Sequence, residues 1–103
     1  MPAPEGPFPW SGQRIRKMNS TSAEFRRALV QAFSVAVSEV EAGLLLTTES
    51  AVLRFTLTEG ESYQVGTLRI PLLQVEISVL RGDDASARKL QERVDRATQR
   101  GGG

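Results

Sequence analysis

The chain has 103 residues, 40% of them hydrophobic and 24% charged, with a net charge of +1. That length gives one domain with one core, and that balance excludes a chain disordered throughout. Cysteine and histidine are both absent, which excludes disulfides, thiolate metal sites, thiol catalysis and the histidine-based nucleophilic pairs.

The first twelve residues carry Pro2, Pro4, Pro7 and Pro9 with Gly6 and Gly12. Proline at this density forbids a helix and favours extended polyproline II structure. Together with the basic residues that follow, residues 1–18 read as a disordered, Pro-rich and basic arm. Phe8 and Trp10 stand out in it. An aromatic pair on such an arm is a docking peptide for a partner protein. The start lacks the basic and apolar regions of an export signal, and no stretch approaches the ~20 apolar residues of a membrane span. With no cysteine, the expectation is a soluble, cytoplasmic protein.

Thr21 followed by Glu24 is the capping-box pattern of a helix start. Apolar residues then recur at Phe25, Leu29, Phe33, Val37 and Val40, with Ala32 and Ala36 beside them, and Gly43 supplies a stop. This 3.6-residue period predicts a helix over residues 22–42. Residues 44–48 are an apolar run. Over residues 52–58, Leu53, Phe55 and Leu57 alternate with Arg54, Thr56 and Thr58, a half-buried strand. Glu49–Ser50 reads as the hairpin turn between them, and residues 59–62 as a second turn around Gly60.

Residues 63–80 are strand-rich. Leu68, Ile70 and Leu72 alternate on one face, then Leu73, Val75, Ile77 and Val79 in the opposite register. The switch falls just after Pro71 and predicts one long kinked strand, with two strands meeting at Pro71 as the other arrangement. Gly66 marks a further irregular point. Asp83 or Asp84 caps a second helix, whose stripe is Ala87, Leu90, Val94 and Ala97. Gly101 closes it and leaves 101–103 as a flexible glycine tail.

The expected fold is α+β: a two-layer sandwich with a three- to four-stranded antiparallel sheet and two helices on one face, in the order α-β-β-β(-β)-α. Residues 19–100 make up that single domain. The outer sheet face is expected to carry Arg54, Thr56, Arg69, Gln74, Glu76 and Ser78.

Charge is segregated. Residues 13–27 hold five basic residues against one acidic, and residues 88–100 hold five against two. Residues 28–87 hold three basic residues against eight acidic. Complementary ends and middle favour self-association. No carboxylate pair, Walker loop, GxGxxG or calcium loop is present, and neither Lys17 nor Lys89 sits where burial would depress its pKa for a Ser–Lys dyad. The sequence therefore predicts no catalytic residues, no cofactor and no metal. It predicts a non-catalytic interaction or assembly module, adaptor- or chaperone-like, whose partner is another protein or a second copy of itself. The alternative is an RNA- or DNA-binding module using Arg14, Arg16, Lys17, Arg26, Arg27, Arg93, Arg96 and Arg100.

Overall fold

The structure is a computed structural model and describes residues 13–102. The first element is a strand, β1 (Gln13–Met18), where the sequence predicted the basic end of an arm. Its register with a later strand runs from Gln13↔Ser78 to Met18↔Leu73. Dense positive charge does not forbid a strand at a sheet edge, where lysine and arginine deter unwanted pairing. Residues 13–18 therefore belong to the sheet and not to the predicted arm, whose residues 1–12 lie outside the described residues.

Helix α1 (Ser22–Phe33) starts as its capping box dictates. The Glu24 N–H donates to Thr21 Oγ1 at 3.1 Å, and Glu24 Oε1 accepts from the Thr21 N–H at 3.2 Å. The helix then stops nine residues short of the predicted end. Ser34 takes φ 53°, ψ −123°, one 3-10 turn follows (Ser34–Ala36), and strand β2 covers Val37–Val40. Val37 and Val40 fit a helical period by spacing alone. As β-branched residues they also suit a pleated strand, and pairing with the next strand decides the outcome.

Strand β3 (Gly43–Thr47) and strand β4 (Val52–Glu59) form the expected hairpin around Glu49–Ser50. Its turn is closed by the Thr48 N–H donating to the Ala51 carbonyl at 2.9 Å. Gly43 permits the β3–β4 approach, since a Cβ there would lie 1.8 Å from the Phe55 carbonyl oxygen. Residues 63–80, expected as one kinked strand, make three: β5 (Tyr63–Val65), β6 (Leu68–Ile70) and β7 (Leu73–Arg81). Helix α2 (Asp84–Gly102) completes the chain. It is capped by Asp83, whose Oδ1 accepts from the Ser86 N–H at 2.8 Å. It runs through Gly101, which was expected to end it.

The main sheet has five antiparallel strands in the order β1-β7-β4-β3-β2, with β5 and β6 paired separately. The α+β class holds, but the order begins with a strand and the sheet is wider than predicted. Leu44, Leu46, Leu53, Phe55, Leu73, Val75 and Ile77 alternate onto one face. There they pack with Phe25 and Leu29 of α1 and with Ala87, Leu90 and Val94 of α2. Phe25 meets Phe55 edge-on, centroids 5.6 Å apart. Burying each such side chain stabilises the fold by roughly 1.5–3 kcal/mol. By register, the other face carries Arg54, Thr56, Gln74, Glu76 and Ser78 as expected, together with Ile15 and Leu80. Arg69 belongs instead to β6.

Candidate interaction surface

The chain leaves the sheet after Glu59 and returns at Leu73. The base of the excursion is closed by the Gly60 N–H donating to the Leu72 carbonyl at 2.9 Å. Inside it, β5 and β6 pair as Tyr63↔Ile70, Gln64↔Arg69 and Val65↔Leu68. Gly66 supplies the turn with φ 63°, while Thr67 keeps a negative φ. Positive φ at the first turn residue alone gives a type II′ hairpin. Side chains on a strand alternate, so Tyr63, Val65, Leu68 and Ile70 share one face of the ribbon, and Gln64 and Arg69 share the other.

Both polar-face residues are exposed. Arg69 lines an open cleft of about 350 Å³ with Ser20, Thr21, Glu59 and Ser62 at the start of α1. The apolar face contributes none of the residues lining this cleft. Tyr63 is 44% exposed, Val65 56% and Leu68 62%. Across the described residues, exposed large apolar side chains otherwise stand singly or in pairs: Ile15, Leu80, Val30 and Val35.

The cleft rim is fixed by Glu59. Its Oε2 accepts from the Ser22 N–H at 2.9 Å and from Ser22 Oγ at 2.8 Å. These hydrogen bonds hold its pKa below the usual carboxylate value. Asp83 is lowered in the same way by Ser86. Both carboxylates are thus occupied as helix caps. Among the described residues no group of three or more His, Cys, Asp or Glu side chains could hold a metal ion. No described helix is long and apolar enough to cross a membrane.

The basic residues are not gathered into one patch. Arg16 forms an ion pair with Asp95 of α2. Asp95 Oδ1 also accepts from Gln91 Nε2 at 2.6 Å. Arg26 Nε lies 2.8 Å from Glu39 Oε2, off the line of its N–H, so the contact is an ion pair rather than a hydrogen bond. Lys17 is on the opposite sheet face from Arg14 and Arg16 by strand alternation. Arg27 is exposed on α1. Arg93 and Arg96 are exposed on α2, beside Arg88 and Lys89, and Arg93 lies 5.0 Å over the Phe33 ring. Phe8, Trp10 and the Arg100 side chain lie outside the described residues. Sequence reading missed the hairpin surface, although Gly66–Thr67 between two alternating apolar triplets was the available signal.

Comparison with known proteins finds no family model and no curated protein that matches this chain.

Proposed function

We propose that the chain is a non-catalytic protein–protein interaction module, an adaptor- or assembly-type domain that holds a partner against the β5–β6 hairpin. The observation carrying this reading is the one-sided ribbon, with Tyr63, Val65 and Leu68 exposed on one face. A two-stranded hairpin is marginal alone, and burying its apolar face against another molecule favours both the hairpin and the complex. Phe8 and Trp10 add a second contact in this reading. A cytoplasmic setting suits a chain without cysteine.

The test is capture from native lysate by the immobilised full chain, with and without nuclease. Leu68→Asp places a charge on the apolar face at an exposed position. It is expected to cut recovery of the partner at least about tenfold, as loss of an interface anchor does, while circular dichroism and melting are unchanged. Undiminished recovery would remove the hairpin's role. Deleting residues 1–12 tests the arm without removing β1.

A nucleic-acid module is the second reading, supported by the exposed Lys89, Arg93 and Arg96 on α2 and Arg27 on α1. It predicts nuclease-sensitive recovery, affinity that falls steeply with salt, and loss of binding in Arg93→Glu with Arg96→Glu.

A further inference from the structure

The two edges of the main sheet are managed differently. β1 carries Arg14, Arg16 and Lys17 within six residues, a density of cations that deters pairing at an edge even with Arg16 paired to Asp95. β2 carries one charge, Glu39, and Arg26 pairs with it. The backbone of β2 is also poised to pair. The Leu57 N–H donates to the Ala42 carbonyl at 2.9 Å. Antiparallel ladders alternate, so Leu44 and Leu46 bond towards β4, while Gly43 and Leu45 bond towards β2. Their partners there are Val40 and Ser38. The N–H and C=O groups of Val37 and Glu39 therefore point outward from the sheet edge.

An apolar patch flanks this edge. Arg26 reaches Glu39, so that side of α1 faces β2, and Val30 shares it one turn further along. Val30 is 46% exposed and Val35, in the turn before β2, is 98% exposed. Val35 is presented by Ser34, whose φ 53°, ψ −123° is a backbone conformation costly for any residue but glycine.

We infer that β2 pairs antiparallel with β2 of a second copy of this chain, joining two five-stranded sheets into one. A two-fold axis across β2 brings Val30 of one copy towards Val30 of the other, a self-complementary contact. Head-to-tail pairing of β2 with β1 would instead set these valines against the charged outer face of α2. The register follows from charge. Centring the axis on Glu39 would put two carboxylates directly opposite. Centring it on Ser38 puts Ser38 opposite Ser38 and Val37 opposite Glu39. A four-residue strand with a small apolar flank makes an interface at the low end of the stable range, so association depends on concentration.

The inference rests on the interaction-module reading only in being a protein-binding surface; it does not use the hairpin. The chain has no cysteine, so S38C carries a single thiol. Ser38 pairs across the axis as a non-hydrogen-bonded pair, with Cα atoms about 4.5 Å apart, within disulfide range. Mild oxidation of S38C is expected to give a covalent dimer, while K17C, exposed on the guarded edge, stays monomeric. Sedimentation of the unmodified chain is expected to show a dimer with rising concentration, weakened at least about tenfold by Val30→Lys and unchanged by Leu68→Asp. A monomer mass up to about 1 mM, or equal cross-linking of S38C and K17C, would overturn it. A dimer whose hairpin captures nothing would overturn the hairpin reading alone.

Discussion

Arg16 of β1 meets Gln91 and Asp95 of α2 in a polar cluster at the edge of the core. Gln91 is 1% exposed, its Nε2 donates to Asp95, and its Oε1 has no hydrogen-bond partner among the described residues. Removing Asp95 strands a buried amide and an arginine together. Asp95→Ala is expected to cost about 1–3 kcal/mol in urea unfolding, whereas Gln91→Met, which removes an already unpaired oxygen, changes stability by less than about 1 kcal/mol. A larger loss in Gln91→Met than in Asp95→Ala would contradict this assignment. Ser34 supplies a second residue-scale prediction. Its φ of 53° is free of strain for glycine, so Ser34→Gly is expected to raise stability by about 1 kcal/mol, read as a higher denaturation midpoint. Neither feature was legible in sequence. Gln91 lies in a helix beside charged residues, where polarity predicts exposure, and nothing in Phe33–Ser34–Val35 marks a left-handed residue.

At the level of elements, the expectations that hold are those set by local chemistry. Thr21 and Glu24 fixed the start of α1, Asp83 the start of α2, and Leu53, Phe55 and Leu57 the inward face of β4. Those that failed depended on partners far along the chain. Residues 13–18 become a strand because β7 lies beside them, and Val37–Val40 leaves the helical pattern to pair with β3. Glu59 is a contact of the same long-range kind, joining the end of β4 to the start of α1. Its folded-state pKa and that of Asp83 are depressed. The unfolded chain therefore binds those protons more readily, and the stabilisation is present above the unfolded value, about pH 4, and lost as pH falls below it. Glu59→Gln is expected to make stability less dependent on pH across that acid limb. An unchanged slope would show that the Ser22 contact does not persist in solution.

For the whole molecule, both helices cover one face of the sheet and the opposite face is mixed and polar, as antiparallel sheets tolerate. Among the described residues the exposed large apolar side chains lie on the hairpin and beside the β2 edge, with Ile15 and Leu80 on that opposite face. The sequence exposed the absence of cysteine and histidine and the segregation of charge, because both are read directly along the chain. It hid the division of the basic residues between ion pairs and the exposed side of α2, because that depends on which strand meets which helix. The most direct test of the interaction-module account places a photo-reactive residue at position 68 in the hairpin and, separately, at position 89 on α2, in the full chain within native lysate. The account predicts a discrete protein adduct from position 68 that survives nuclease. A nucleic-acid adduct from position 89, with none to protein from position 68, would contradict it.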